Sequence, residues 1–369
     1  MEKLEHSKKV PAKKVYMMMS GGVDSSVAAS VLVSQGYDVY GVFMKCWSLE
    51  ALEKLGVSQD LYGCFWEDDV QDASLVAGKI GVPFEIWDLQ GEYRKNVVDY
   101  MLQEYRVGRT PNPDVMCNST IKFGVFYEKA MEKSADFVAT GHYARIVNGQ
   151  IARGLDEKKD QSYFLWGIEQ GKLDHVLFPV GEFESKAGVR EYAQKNDLIT
   201  ASKPDSQGLC FIGSTPLREL LLQTLGEKKG DIATVDNTGK KIILGSHPGA
   251  YLYTIGQREK LGLSGGPWFV TGIDVDSNEV IVANEKSIKN LYNQYLTASN
   301  INWQVEPKSE IISCQAQTRY HQLPEDCEVE IISKTEIKVS FLNPVRAIAS
   351  GQSIVFYLDD LMLGGAIIN

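Results

Sequence analysis

The chain has 369 residues, of which 44% are hydrophobic and 23% are charged, and its formal net charge is -10. This length suffices for two or three domains with separate cores, and the composition is that of a globular protein. The longest apolar runs fall far short of the roughly twenty residues that a membrane-spanning helix needs, and the N-terminus lacks the apolar segment of a secretory signal. We therefore expect no membrane association and a cytoplasmic location.

The charge and the cysteines also limit the function. A negative net charge argues against a protein that coats nucleic acid, although a local basic groove remains compatible with it. The six cysteines, at positions 46, 64, 117, 210, 314 and 327, are too few and too scattered for a disulfide framework, which favours a reducing compartment. Because no two of them form a CxxC pair, an iron–sulfur centre is only a minor alternative.

The first 200 or so residues alternate strand-like and helix-like segments, which predicts an α/β fold with a doubly wound parallel sheet. Apolar runs predict strands at residues 14–19, 37–44, 83–87 and 136–140. Apolar residues at helical spacing predict helices at residues 27–35, 70–80, 93–105 and 123–133. Residues 109–118 contain two prolines, so we expect a rigid turn there rather than a helix or a strand.

Beyond residue 213 the pattern changes to one helix, at residues 216–225, followed by short β-like runs between Gly, Asn and Asp residues. These runs include residues 241–244, 268–274, 279–283, 327–333, 337–341 and 353–358. Such spacing is typical of small antiparallel sheets or barrels.

A glycine-rich loop, Ser20-Gly21-Gly22-Val23-Asp24-Ser25-Ser26, follows the first predicted strand and precedes a helix. There a helix N-terminus offers free backbone N–H groups to an anion, and glycines let the chain approach phosphate oxygens closely. No lysine of the Walker type is present, so the loop differs from those that transfer a γ-phosphate. It resembles the PP-loop of ATP pyrophosphatases, which implies transfer of AMP, with Asp24 helping to hold Mg²⁺. An ordinary turn with a helix cap is the alternative.

Two cysteines lie in distinctive segments. Cys117 ends the proline-containing run Arg109-Thr110-Pro111-Asn112-Pro113-Asp114-Val115-Met116-Cys117, and a stiff loop is suited to fixing a substrate. Cys210 lies between Gly208 and Gly213, which give the backbone latitude around the thiol. A single intracellular cysteine is usually an inert buried side chain, and we keep that interpretation for Cys46, Cys64, Cys314 and Cys327.

Taken together, the motifs resemble those of the MnmA-type tRNA-specific 2-thiouridylases, over nearly the whole chain. Further motifs that carry the resemblance are at residues 43–45, 121–123, 139–145, 159–165, 208–213, 253–258, 267–268, 318–320, 344–347 and 351–352. The resemblance implies a flexible tail at residues 1–14 and a PP-loop catalytic domain with a doubly wound parallel sheet at 15–213. A small central domain at 214–284 and a C-terminal antiparallel β-barrel at 285–369 would follow.

The resemblance also implies the functional residues. Cys117 would be the nucleophile, Cys210 the persulfide carrier, and Asp114 and Asp24 further catalytic residues. The residues implied to contact ATP are Met18, Met19, Ser20, Gly21, Gly22, Val23, Asp24, Ser25, Met44 and Gly141. The residues implied to contact the target base are Asn112, Pro113 and Asp114. The residues implied to contact tRNA are His142, Lys159, Asp160, Gln161, Arg319, Tyr320 and Gln352.

The implied reaction begins with adenylation of the C2 carbonyl oxygen of the wobble uridine in tRNA, which makes that oxygen a leaving group. Sulfur from a cysteine persulfide then replaces it, giving 2-thiouridine, AMP and pyrophosphate. ATP and Mg²⁺ would be required, with no permanently bound organic cofactor, and a persulfide-carrying protein would donate the sulfur. Whether sulfide is released or the persulfide attacks directly is left open by the sequence.

Two other functions remain open at this level. One is a different PP-loop adenylating enzyme, such as a small-molecule amidotransferase or a lysidine-type tRNA ligase, which would not need both cysteines. The other is a nucleotide-gated RNA-binding module without catalysis, which would release no pyrophosphate when tRNA is added.

Overall fold

The computed structural model describes residues 12–48, 65–205, 217–236 and 238–369. Cys64, Cys210 and most of the predicted N-terminal tail lie outside these ranges. No helix in the described part of the chain combines the length and apolar character needed to cross a bilayer.

The first domain contains a five-stranded parallel sheet. Its strands are β1 (Lys14–Met18), β2 (Asp38–Lys45), β3 (Phe84–Asp88), β4 (Phe137–Ala139) and β7 (Val176–Leu177). Between β4 and β7 the chain forms a hairpin of β5 (Ala144–Val147) and β6 (Gln150–Arg153), which is not part of this sheet. The strand order of the sheet is β3-β2-β1-β4-β7. The central strand β1 is buried on both faces, as its continuous apolar sequence predicts for a parallel sheet. Tyr16 and Met18 enter one core cluster, whereas Val15 and Met17 enter the other.

Helices cover both faces of this sheet. On one face lie α1 (Val23–Ser34), α2 (Phe65–Ile80) and, later in the chain, Lys186–Lys195. On the other face lie two composite helices, α3 (residues 90–106) and α4 (residues 113–132). In chain order the helix at Lys186–Lys195 is α5. Short 3₁₀ helices occupy Ser162–Leu165, Gln170–His175 and Pro179–Glu182. The doubly wound arrangement expected from the sequence is confirmed.

The composite helix α4 corrects one expectation. It consists of an α-helix at Pro113–Met116, a π-helix at Cys117–Phe126 and an α-helix at Tyr127–Glu132. The prediction of a non-helical turn at 109–118 is therefore wrong for its second half. Pro113 is tolerated because the first helical position needs no N–H partner. Asn112 caps the helix, since its Oδ1 accepts a hydrogen bond of 3.2 Å from the Val115 N–H.

The α3 helix has the same construction. It consists of an α-helix at Gln90–Tyr93, a π-helix at Arg94–Val98 and an α-helix at Asp99–Arg106. Its buried side chains, among them Val97 and Met101, belong to the same core cluster as Cys117 of α4.

The rest of the chain is mainly antiparallel. After α6 (Leu217–Leu225), the central domain has a four-stranded sheet made of β8 (Gly230–Val235), β9 (Lys241–His247), β10 (Trp268–Asp274) and β11 (Glu279–Asn284), in the order β10-β11-β8-β9. The C-terminal strands are β12 (Tyr292–Trp303), β13 (Ile311–Gln317), β14 (Glu325–Ile331), β15 (Glu336–Arg346), β16 (Ser353–Leu358) and β17 (Leu361–Ile368). Strand β12 pairs with both β15 and β17, which closes the expected barrel. Two 3₁₀ helices occupy Ala250–Leu252 and Glu285–Leu291.

The barrel packs against the first domain. The Tyr163 hydroxyl donates a 2.9 Å hydrogen bond to the Ser353 carbonyl, and the Trp166 indole N–H donates one of 2.9 Å to the Ser353 hydroxyl. Strand β6 also pairs with β17, where Ala152 lies opposite Leu361. These buried contacts attach the barrel firmly to the sheet domain.

Gly365 tests this interface. A Cβ atom there would lie 2.6 Å from Cγ of Trp166, so we expect Gly365→Ala to cost about 1–3 kcal/mol through overpacking. The measurement is the thermal unfolding midpoint of the full chain. Gly78→Ala in α2 is the matched control, because its added methyl meets nothing and alanine favours a helix. Equal or higher stability of Gly365→Ala would contradict the packing described here.

Candidate active site

The glycine-rich loop (residues 20–26) leads directly from β1 into α1. Gly21 has a φ of 76°, and a Cβ atom on it would lie 2.2 Å from the carbonyl oxygen of Asp69. Only glycine fits there without displacing α2. The Ser26 hydroxyl donates a 2.8 Å hydrogen bond to the Gly22 carbonyl. Among the described residues no side chain caps the start of α1, so its first N–H groups are available to an anionic ligand.

The other residues predicted to contact ATP lie around this loop. Gly141 follows β4, and a Cβ atom on it would lie 2.8 Å from both the Asp24 carbonyl carbon and the Ser25 nitrogen. The close approach places the end of β4 directly against the first turn of α1. Met18 and Met19 are buried at the end of β1, and Met44 is half-buried near the end of the neighbouring β2. The structure thus brings these residues to one edge of the sheet, at the carboxyl ends of its central strands.

Asp24 is the centre of a charged cluster that the sequence did not predict. Its carboxylate accepts hydrogen bonds of 2.7 and 2.8 Å from the Lys186 ammonium and one of 2.7 Å from the Tyr143 hydroxyl. Lys186, at the start of α5, is mostly buried and lies 2.9 Å from the carboxylate of Asp205. A lysine that is 162 residues from its partner forms no recognisable spacing pattern, which is why sequence reasoning missed it.

Asp205 extends the cluster outward. Arg190 and Lys159 contact its carboxylate at 2.7 and 2.8 Å. Burial disfavours its charged form, but hydrogen bonds and positive charges from Lys159 and Lys186 outweigh this and hold the pKa of Asp205 well below its usual range. Burial, and then the charge of Asp24, raise the pKa of Tyr143, so that its hydroxyl remains a hydrogen-bond donor.

His142 links the loop after β4 to α4. Its Nδ1 lies 2.7 Å from the Thr140 hydroxyl, and its Nε2 lies 3.3 Å from the Lys122 ammonium. Burial and then the charge of Lys122 lower the pKa of His142 well below its usual range, so the ring is neutral at pH 7. An ammonium group can only donate, and Nε2 is therefore the acceptor and Nδ1 carries the proton.

Cys117 begins the π-helical part of α4 and is 3% exposed. The next residue, Asn118, donates a 3.0 Å hydrogen bond from Nδ2 to the Phe164 carbonyl. Its Oδ1 is buried and has no hydrogen-bond partner among the described residues. Because Cys210 lies outside the described residues, its distance from Cys117 is not defined, and the pairing of the two thiols stays a prediction.

The segment before Cys117 is held by both other domains. The Thr110 N–H donates to the Ser350 carbonyl at 2.8 Å, and Nε2 of Gln352 donates to the Thr110 carbonyl at 2.9 Å. The hydroxyls of Thr110 and Thr254 lie 3.1 Å apart. The barrel and the central domain therefore meet at the loop that leads to Asn112, Pro113 and Asp114.

Two further residues predicted to contact tRNA lie near this junction. The Arg319 guanidinium donates a 2.7 Å hydrogen bond to the Ile255 carbonyl. The Tyr320 ring packs on Phe164, with centroids 4.4 Å apart, and on Tyr163, 6.2 Å away. Asn118 binds the Phe164 carbonyl, so this aromatic group lies beside the Cys117 segment.

The remaining residues predicted to contact tRNA make internal contacts. Asp160 is buried and accepts hydrogen bonds of 3.0 to 3.1 Å from Arg153, the Gly154 N–H and Ser162. Oε1 of Gln161 accepts one of 3.0 Å from the Tyr143 N–H. Both residues support the fold, and their contact with tRNA stays a prediction, as does that of Lys159 and His142.

Comparison with known proteins identifies the family. A family model described as a tRNA methyl transferase HUP domain matches residues 13–214, more than half of the chain. A tRNA methyl transferase PRC-barrel domain matches residues 218–284, and an aminomethyltransferase β-barrel domain matches residues 293–368. A relative from Marinomonas sp. (strain MWYL1), a tRNA-specific 2-thiouridylase MnmA, is 43% identical, with coverage of 97% of this chain and 91% of the relative. The chain belongs to the MnmA family of tRNA-specific 2-thiouridylases.

A second MnmA relative, from Francisella tularensis subsp. novicida (strain U112), is 42% identical and covers 96% of this chain and 99% of its own. The match to MnmA proteins thus spans all three domains. Among solved structures, a 4-thiouridine synthetase in complex with RNA and ATP is similar at a TM-score of 0.35 and 20% identity, over 58% of this chain and 50% of that chain. This weak likeness adds nothing to the family assignment.

The charged cluster predicts a pH effect. Asp205 has a lowered pKa, so its ionised form stabilises the fold above the ordinary carboxyl pKa, and this contribution is lost as the pH falls towards the lower folded-state pKa. We expect Asp205→Asn to be less stable than wild type at pH 7, with a difference that shrinks below about pH 4. Denaturant unfolding across pH measures it. Asp197→Asn is the control: this carboxylate is exposed and 3.8 Å from Lys79, so its removal should change the stability little at any pH. A stability difference between Asp205→Asn and wild type that does not vary with pH would contradict the explanation.

Proposed function

We propose that this chain uses ATP to adenylate the C2 carbonyl oxygen of a wobble uridine in tRNA and then replaces that oxygen with sulfur. The observation that carries the proposal is that one domain contains two features. One is the loop at residues 20–26, which can bind an anion and has no Walker lysine, and the other is Cys117 beside the junction of the domains. The name that both relatives carry, tRNA-specific 2-thiouridylase MnmA, supports the formation of 2-thiouridine in tRNA.

In the first step the uridine oxygen attacks the α-phosphate of ATP, and pyrophosphate leaves. The first N–H groups of α1 would bind the phosphates, and Gly21 and Gly22 allow their close approach. Lys186 is positioned to neutralise charge that develops on the departing pyrophosphate, because its ammonium already lies beside the first turn of α1.

Asp24 fits a magnesium ion. Mg²⁺ prefers oxygen ligands and is often held by one or two carboxylates together with substrate phosphates. The Asp24 carboxylate lies in the first turn of α1, next to the phosphate-binding N–H groups, although Lys186 shares its oxygens. When bound there with ATP, the ion would stabilise negative charge on the phosphates.

In the second step a sulfur nucleophile attacks C2 and AMP leaves. We assign Cys210 as the persulfide carrier and Cys117 as the nucleophile. In one route Cys117 attacks Sγ of Cys210 in the persulfide and releases the outer sulfur as sulfide, which then attacks C2. In the other route the persulfide attacks C2 directly, and Cys117 attacks Sγ of Cys210 in the resulting Cys210–S–S–C2 adduct, so that the S–S bond breaks and the thiolated base is released. In both routes sulfur replaces oxygen, and a Cys117–Cys210 disulfide remains to be reduced.

The target base would enter from the junction of the three domains. Extruding it from the anticodon costs a few kcal/mol, and stacking on aromatic rings offsets part of this cost. Tyr320 and Phe164 lie beside the segment that carries Asn112 and Asp114. We assign the base edge to these two polar side chains, and RNA contacts to Arg319 and Gln352 at the same junction. His142 and Lys159 would contact the RNA from the sheet domain.

The proposal implies two macromolecular partners. One is a tRNA with a uridine at the wobble position, and the other is a protein that donates sulfur as a persulfide. A cytoplasmic setting fits both, because it keeps the thiols reduced between reactions.

The two cysteines provide the direct test. We expect Cys117→Ser and Cys210→Ser each to abolish 2-thiouridine formation, because a hydroxyl cannot carry or release sulfur in this way. The measurement is mass spectrometry of nucleosides from tRNA incubated with the protein, ATP, Mg²⁺ and a persulfide donor. The mass of the product also separates sulfur-for-oxygen replacement from methylation.

Cys46→Ser is the matched control for these variants, since Cys46 lies at the end of β2 outside both cysteine motifs, and it should keep full activity. Full activity in both Cys117→Ser and Cys210→Ser would exclude thiolation by this route. Release of pyrophosphate on adding tRNA, retained in the two inactive variants, would separate the enzyme from a non-catalytic RNA-binding module.

Lys186 tests the adenylation step. We expect Lys186→Met to slow tRNA-dependent pyrophosphate release by about a hundredfold. Removing one hydrogen-bond donor that stabilises transition-state charge typically lowers the rate of an enzyme by about this factor. Lys186→Arg should restore part of the rate because it keeps the positive charge. Lys158→Met removes an exposed lysine near the same cluster and should have no effect. A normal rate in Lys186→Met would show that Lys186 only supports the fold.

A further inference from the structure

A second pair of thiols lies in the C-terminal barrel, separate from Cys117 and Cys210. Cys314 on β13 and Cys327 on β14 are directly opposite in the antiparallel register, with their Sγ atoms 3.8 Å apart. Both are largely buried, at 9% and 6% exposure, and belong to the barrel core. The family reaction gives this pair no role.

The backbone geometry at the pair suits a disulfide. Directly opposite residues in an antiparallel sheet have Cα atoms about 4.5–5.5 Å apart, which falls within the range of about 4.4–6.8 Å found for disulfides. The neighbouring pair on the outer face, Gln315 and Asp326, is joined by a 3.1 Å side-chain hydrogen bond that fixes the register. The two sulfurs can therefore bond through side-chain rotation, without a shift of either strand.

A cavity gives small molecules access to these sulfurs. It has a volume of about 710 Å³ and is lined by both cysteines and by Phe341. Its rim includes Tyr295 and Leu342, which are 61% and 69% exposed, so the cavity opens to solvent. Both cysteines line this cavity and keep a small exposed fraction, so a small oxidant that enters it can reach the sulfurs.

We propose that Cys314 and Cys327 form an oxidisable dithiol site that hydroperoxides convert into an intrachain disulfide. One sulfur attacks a peroxide oxygen and becomes a sulfenic acid, while the O–O bond breaks and water (or an alcohol) leaves. The second sulfur then attacks the first, expelling water and forming the S–S bond. The two sulfurs together lose two electrons, and the peroxide is the species reduced.

The environment of the two thiols gives the order of the steps. The hydrogen bond with Cys314, and then burial, raise the pKa of Cys327, so Cys327 keeps its proton. With the two Sγ atoms 3.8 Å apart, the Cys327 S–H can donate a hydrogen bond to the sulfur of Cys314, and we assign the first attack on the peroxide to Cys314.

Oxidation would act on the tRNA-facing junction. The turn of the β13–β14 hairpin, residues 318–324, lies between the two cysteines and contains Arg319 and Tyr320. A disulfide between these strands, two residue pairs from the last pair before the turn, would restrict opening of the hairpin and hold these side chains against Ile255 and Phe164. This consequence for tRNA binding rests on the proposed function, whereas formation of the disulfide does not.

Peptide mapping of the full chain tests the proposal. The reduced protein is treated with hydrogen peroxide, its remaining thiols are alkylated, and it is digested with trypsin without a reductant. Cleavage after Arg319 separates the two cysteines, so the disulfide should appear as residues 309–319 linked to residues 320–334, with a mass two hydrogens below the sum. Recovery of both cysteines in unlinked peptides, alkylated or further oxidised, would overturn the proposal, as would linkage to any other cysteine.

Two variants and one measurement on the wild type complete the design. Cys314→Ser should lose the linked peptide, whereas Cys46→Ser should keep it at the wild-type level. Amide hydrogen exchange at residues 318–324 should become slower after oxidation; unchanged exchange would contradict the effect on the hairpin. The mapping needs only the wild-type chain, so it remains decisive if Cys314→Ser folds poorly. Loss of 2-thiouridine formation in any of these proteins, measured by the nucleoside assay above, would be evidence about the proposed function. It would not be evidence about the disulfide.

Discussion

The arrangement of the candidate site depends on one mostly buried ammonium group. Lys186 joins the carboxylate of Asp24, in the first turn of α1, to that of Asp205, which lies 19 residues after the lysine. Two carboxylates this close would repel each other in a partly desolvated site, and the shared cation removes that repulsion. Removing the lysine would leave the negative charge of Asp24 without its cation, beside the N–H groups proposed to bind phosphate, whereas Asp205 would keep Arg190 and Lys159. The Lys186 ammonium therefore allows the N-terminus of α1 to bind an anion although the acidic residue Asp24 lies beside it.

A second constraint is the meeting of three domains at one loop. Thr110 is bound by Thr254 from the central domain and by Ser350 and Gln352 from the barrel. The loop is thus not free to choose its conformation within the sheet domain alone. The position of Asn112, and with it the first turn of α4 that leads to Cys117, depends on contacts made by residues more than 140 positions away.

Much of the fold could be predicted from the sequence because its signals are local. The apolar run at β1, the glycines at 21 and 22, and the later change to short β runs each reflect nearest-neighbour physics, and the α/β domain followed by a β-barrel is confirmed. The error at residues 109–118 has a local cause as well. Two prolines in this segment argue against a helix, but the second, Pro113, occupies the first helical position, where proline is favoured.

What the sequence could not predict depends on long-range contacts. Lys186 carries no motif that marks it as the partner of Asp24, and the burial of Asp160 follows from the packing of β6 and the barrel around it. The glycine-rich loop can be recognised from the sequence because its glycine, serine and aspartate residues lie within seven consecutive positions. The cation that completes it comes from another part of the chain, and only the folded structure brings the two together.

The π-helical stretch of α4 sets the angular relation between its two ends. Ten residues, Cys117–Phe126, are wound more widely than an α-helix, so the side chains after the stretch point in other directions than α-helical winding would give them. Each residue of an α-helix turns the chain by about 100°. Shortening this segment between Cys117 and Lys122 by one residue would rotate Lys122 relative to Cys117 and break its 3.3 Å contact with His142. The length of this segment is therefore as much a part of the site as the identity of its residues.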